Sequence, residues 1–209
     1  MIEKFWEWPC IFSENGCLKV GDQATMKLHS PVCSLRNIEC PFWKCPKKVH
    51  LQNVTDHMMN VHSAVVWPDS ECGWGQIQGV CYMLPISNYN KRNVKAELVL
   101  TPVVAAFDGQ TFIANGVIKD GRWFLWVSIV ASEKESQHYE VTISAEARGS
   151  CAKVTCSVYS VDPGRMNLPE DGEGVLELSR SMAKRLGMIE DGNFKVEIDY
   201  EIRRKYILY

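Results

Sequence analysis

No stretch of this 209-residue chain approaches the roughly eighteen apolar residues of a membrane span. The longest apolar run, Trp123 to Ala131, is about half that length and contains a serine. The first residues, Met-Ile-Glu-Lys-Phe-Trp-Glu-Trp-Pro, interleave acids with apolar side chains, so no secretory signal is visible. The expectation is no membrane partner and a cytoplasmic or nuclear location, where thiols stay reduced and clustered cysteine favours metal over disulfides. An excess of charge is missing as well. The formal net charge is −2, and residues 1–65 hold seven Lys/Arg against six Asp/Glu. The stretch Asn53 to His62 has no Lys or Arg at all. A finger that reads nucleic acid draws most of its affinity from phosphate neutralisation, so no nucleic-acid partner is expected. A composition 46% hydrophobic and 23% charged leaves little room for disorder.

What the chain does have is cysteine and histidine in order. Cys10, Cys17, His29 and Cys33 are spaced C-x6-C-x11-H-x3-C, and Cys40, Cys45, His57 and His62 are spaced C-x4-C-x11-H-x4-H. Structural zinc takes four soft or borderline ligands in a tetrahedron, and Cys3His and Cys2His2 are common sets. A short Cys pair makes a knuckle, and the closing pair sits about one turn apart on a following helix. The spacing predicts helices over Gln23 to Leu28, broken by Pro31, and over Asn53 to His62. Two structural zinc ions follow as cofactors. Both quartets are complete, and no H-E-x-x-H arrangement is present, so neither ion is expected to be catalytic.

The remaining cysteines read differently. Cys151 and Cys156 lie in or beside a strand pattern and are expected in the core. Cys72 and Cys81 lack nearby ligands for a further metal. His50, after Lys47 and Lys48, is expected to be exposed between ligands. No residue set points to a catalytic site. Trp6 and Trp8 are expected either to cover the first finger or to meet a partner. The tail Arg203-Arg-Lys-Tyr-Ile-Leu-Tyr reads as a strand extension or docking segment.

Residues 64–93 are punctuated by Gly and Pro and read as a bridge, with a short strand over Gly79 to Leu84. From Val94 the apolar period is two. Strands are predicted over Val94 to Leu100, Thr111 to Ile118, Trp123 to Val130, Tyr139 to Ile143, Val154 to Val158 and Phe194 to Ile202. Asp120-Gly121 is a hairpin signal. Leu178, Met182, Leu186 and Ile189 mark the apolar stripe of one late helix, and Asp162 to Gly174 reads as an exposed crossover. The fold class is mainly β: two zinc fingers in residues 1–63 (8–33 and 38–62), the bridge, then an antiparallel sandwich over 94–209 with one late helix.

This arrangement resembles the seven in absentia (SIAH) family of ubiquitin ligases. Both quartets have that family's spacings. Lys119-Asp-Gly with Trp123-Phe-Leu-Trp-Val-Ser-Ile-Val is similar to its turn and central strand, and Gly174-Val-Leu-Glu-Leu through Ile198 to its last strand, helix and closing strand. The resemblance implies a TRAF-like β-sandwich that binds substrate peptides by strand addition and commonly forms a homodimer. The family's ligase activity resides in a RING domain N-terminal to the fingers. This chain starts nine residues before Cys10, so the resemblance implies a protein-interaction module without its own RING. The alternative is a subunit of an active ubiquitin ligase, formed by dimerising with a RING-bearing relative. The resemblance places peptide-binding residues at Val65, Val66 and Trp67 and at Lys95, Ala96 and Leu98. Lys95 and Ala96 stand where the family has an acid and an aromatic, so weak binding of a Val-Pro degron and a preference for bulkier or more acidic ligands are expected.

Overall fold

Alternation of inward apolar and outward polar residues builds two sheets that close face to face. The computed structural model describes residues 6–42, 45–67, 76–85, 97–147, 149–161, 174–190 and 193–205. The N-terminal third holds two hairpins, β1 (Trp8–Pro9) with β2 (Val20–Gly21) and β3 (Asn37–Glu39) with β4 (Lys48–His50). Each is followed by a helix, α1 (Gln23–His29) and α2 (Val54–His62).

The sandwich has a seven-stranded and a five-stranded sheet. The first runs β13 (Tyr159–Ser160), β10 (Arg122–Ile129), β9 (Gln110–Lys119), β8 (Val103–Phe107), β5 (Val65–Val66). It also has β14 (Leu176–Leu178) on β10 and β7 (Leu98–Val99) on β9. The second runs β12 (Ser150–Ser157), β11 (Tyr139–Ala147), β16 (Asn193–Arg204), β15 (Met188–Glu190), with β6 (Gln76–Pro85) also on β16. Pairing is antiparallel except where β5 lies on β8 and β13 on β10. Neither of those short strands reaches its neighbour through a hairpin, so nothing obliges it to reverse direction. The segment read as a bridge thus supplies one strand to each sheet.

Asp120 and Gly121 take φ of 52° and 76° between β9 and β10, the left-handed pair a tight hairpin needs. Between the sheets, Trp123, Leu125, Val127 and Ile129 of β10 meet Val141 and Ile143 of β11 and Val196, Ile198 and Ile202 of β16, all buried. The hydroxyls of Tyr82 and Tyr200 satisfy each other in this core at 2.9 Å. Burial pushes Tyr82 up to about 12, so the pair stays protonated. The seven-stranded sheet is covered on its other face too. Val104 and Ile113 lie under Ile38, Val54 and Met58 of the second finger, and farther along Val117 and Trp126 pack with Val175. Burial on both faces is why β10 reads as a nearly continuous apolar run.

Three readings change. The late helix, α4, spans only Arg180–Leu186, because Ser179 caps it by accepting the Met182 N–H and Gly187 follows its end. Leu178 and Ile189 are strand residues, paired with Trp123 and Phe194. A further short helix, α3 (Glu133–Ser136), starts at Ser132, whose hydroxyl accepts the Glu135 N–H. The Ser-x-x-Glu spacing there was the available signal. Finally, Cys151 is exposed, since it shares the outward row of β12 with Lys153 and Thr155. Cys156, on the opposite row, packs against the core as expected, and burial raises its thiol to about 11. The crossover predicted at Asp162 to Gly174 falls, but for Gly174, outside the described residues.

Candidate metal centres

Each quartet is assembled from one hairpin and one helix. In the first, the Phe12 N–H points at Cys10 Sγ at 3.4 Å, and the Cys17 N–H returns to the Phe12 carbonyl at 3.2 Å. The second repeats this turn: the Phe42 N–H lies 3.4 Å from Cys40 Sγ, and the Cys45 N–H donates to the Phe42 carbonyl at 3.1 Å. Backbone N–H groups aimed at sulfur stabilise it as thiolate. Asp22 caps α1 by accepting the Thr25 N–H at 2.7 Å, which holds its carboxyl below the usual range. His29 ends that helix, and a 3-10 turn at Ser30–Val32, containing Pro31, delivers Cys33. In the second centre α2 carries His57 and ends at His62, and the two imidazoles converge from these positions.

The distances test whether zinc fits. Zn–S of about 2.3 Å and Zn–N of about 2.0–2.1 Å imply tetrahedral edges of about 3.8 Å for S–S, 3.6 Å for S–N and 3.4 Å for N–N. Cys10 Sγ and Cys33 Sγ are 3.9 Å apart, and Cys17 Sγ lies 3.3 Å from His29 Nε2. In the second set, Cys40 Sγ to His62 Nε2 is 3.3 Å, Cys45 Sγ to His57 Nε2 is 3.8 Å, and the two Nε2 atoms are 3.2 Å apart. Within each quartet all four ligand atoms fall within 4.8 Å of one another. The two quartets fit two zinc ions, each coordinated entirely by protein.

Electrostatics agree with that assignment. Without a cation, burial pushes the Cys40 thiol up to about 12, so ionisation there requires a nearby positive charge. Burial lowers His57 and His62, favouring the neutral imidazole that ligates metal. The Phe42 ring stacks on His62 with centroids 3.9 Å apart and 17° between planes, fixing that ligand's orientation.

Sequence reasoning missed two residues that join the fingers. Arg36 is buried and donates through Nη1 to the Cys33 carbonyl at 3.3 Å, while its own carbonyl accepts the Leu51 N–H. Asn15 Nδ2 donates to the Leu35 carbonyl at 2.9 Å. No spacing signal marks either residue, because the contacts depend on how the fingers are docked. Of the expected peptide-binding residues, Val65 and Val66 form the exposed edge strand β5, and Trp67 packs against the sandwich core. Leu98 pairs with Ile118, four positions along β9 from Ala114, which pairs with Val103 beside Val65. Lys95 and Ala96 lie outside the described residues.

Residues 2–75 match the family described as Sina, zinc finger. This region is a SIAH-type zinc-binding module, and its two quartets are the metal centres just described. No curated protein matches the chain.

Proposed function

We propose that the chain is a protein-interaction module that binds partner peptides by adding them as a strand to the edge at β5, as the substrate-recognition region of SIAH-type ubiquitin ligases does. The observation that carries this is the state of that edge. The N–H groups of Val65 and Trp67 donate inward to the carbonyls of Pro102 and Val104 at 3.0 and 2.7 Å. The Val66 N–H between them therefore faces outward, where an incoming carbonyl can meet it. Val65 and Val66 are 50% and 48% exposed, so the strand offers apolar side chains beside a backbone edge left unpaired among the described residues. The Trp67 indole N–H is buried with no hydrogen-bond partner among the described residues, a donor that a ligand carbonyl would satisfy.

Exposure elsewhere supports a docking role. Among the described residues, every exposed large hydrophobic lies between Trp6 and Val66. Trp6, Trp8, Ile11, Leu18 and Leu28 are all more than half exposed on the first finger, which favours a partner contact over packing for the two tryptophans. The resemblance extends the proposal to a TRAF-like sandwich, a homodimer and participation in ubiquitin-dependent degradation.

The test is panning of displayed random peptides on the full chain and on Val66→Pro. Proline removes the outward donor and places a ring on the edge while leaving both inward hydrogen bonds available. Enriched peptides should bind the parent chain and lose binding to Val66→Pro. Equal binding to both would place the site elsewhere.

A further inference from the structure

The two zinc centres differ in what they support. Cys10, Met26 and Cys33 form a small core of their own, joined by Phe12 and Cys17 of the first finger and by Leu35 of the link that follows it. Cys40, Val54 and Met58 instead share a core with Val104, Ile113 and Val161 of the sandwich. Packing in the second centre is therefore continuous from ligand to sheet, with Met58 fully buried at the junction.

The backbone follows the same route. His62 is the last residue of α2, and Ser63 turns the chain with φ of 53°. The Ala64 N–H then closes on the Met58 carbonyl at 3.0 Å. Val65 begins β5, three residues after a zinc ligand. Val104 appears on both paths, since its side chain lies under the second finger and its carbonyl accepts the Trp67 N–H. A two-residue strand with half-exposed side chains has little of its own to offset the entropy of ordering it.

We infer that zinc at the second centre, and not at the first, holds β5 against β8, so that occupancy of the Cys40–Cys45–His57–His62 site decides whether this sheet edge exists. The inference concerns the strand itself and stands whether or not a peptide binds there. It makes the fingers unequal: the first is a satellite, and the second is a metal-dependent clamp on the sandwich.

Residue-resolved amide exchange on the full chain tests it, with zinc content measured alongside. Cys17→Ser disables the first centre and His57→Ala the second, while Met58→Ala keeps all eight ligands and cuts the packing route. The Val65 and Trp67 amides should exchange on the order of tenfold faster or more in His57→Ala and in Met58→Ala, and at the parent rate in Cys17→Ser. The Leu100 amide, bonded to the Gly116 carbonyl at 2.9 Å, reports on the sandwich and should keep its protection in all three. Equal acceleration in Cys17→Ser and His57→Ala, or none in either, overturns the inference. So does loss of Leu100 protection together with β5, which would be global unfolding. Unchanged exchange in a Met58→Ala protein that retains both zinc ions overturns the proposed route.

Discussion

Met58→Ala perturbs the point where finger and sandwich become one structure. The side chain is 0% exposed and shares a cluster with Ile38, Val54, Val104 and Ile113. Truncating a fully buried methionine costs about 2–5 kcal/mol, combining lost burial with a cavity that neighbours only partly fill. With a urea slope of about 2–3 kcal/mol/M for a chain of this size, the unfolding midpoint should fall by about 0.7–2.5 M. A double-mutant cycle with Val104→Ala locates the loss. Residues in one cluster couple by about 0.5–3 kcal/mol, whereas unconnected sites add within about 0.5 kcal/mol. Met26→Ala is the control, because Met26 is also buried but lies in the first finger's own cluster. Urea titrations followed by tryptophan fluorescence, with zinc present, should show coupling for Met58 with Val104 and none for Met26 with Val104. Additivity in the first pair, or coupling in the second, would refute this division of the two fingers.

Elemental analysis of freshly purified protein should give about two zinc ions per chain, falling to about one in His57→Ala; fewer than one in the parent chain would contradict both assignments. Acid should release metal from the second centre. His57 and His62 have folded values below their ordinary one, so they stabilise the fold above the usual imidazole range. That contribution is lost as pH falls through their lowered values, and a zinc dye should record release in that direction, with no release on raising the pH. Gly187→Ala should cost about 1–3 kcal/mol, because a Cβ there would collide with the buried Phe194 ring and the Ala183 carbonyl; an unchanged melting temperature would contradict the packing. For the proposed homodimer, light scattering at micromolar concentration should give about twice the 23.8 kDa chain mass, and the monomer mass would refute it.

The metal centres were legible because ligand chemistry writes itself into spacing. Eleven residues separate the second and third ligands in both quartets, and the structure answers with the same hairpin and helix twice. Strands buried on one face were legible for a similar reason. The inward row of β16, from Phe194 to Ile202, alternates without a break. Where two elements share a period, the sequence misleads. Leu178, Met182 and Leu186 are spaced like a helical stripe, yet Leu178 belongs to a strand, because the Ser179 cap decides where α4 begins. Docking left no local trace at all. Nothing in the neighbourhood of Val104 or Ile113 distinguishes a residue under a finger from one facing water, and no spacing marks Arg36 as a residue buried beside Cys33. Cys151 shows the reverse error, since strand membership alone does not say which row a residue joins.

The proposed function requires that the zinc-bound fingers border an open strand edge where a partner peptide pairs. The Val66 amide tests it most directly. In the free protein it should exchange readily, with Val65 and Trp67 protected by their bonds to Pro102 and Val104. With a saturating peptide enriched on the full chain, the Val66 amide should become protected as well. Tight binding of that peptide with Val66 exchange unchanged would contradict strand addition at β5.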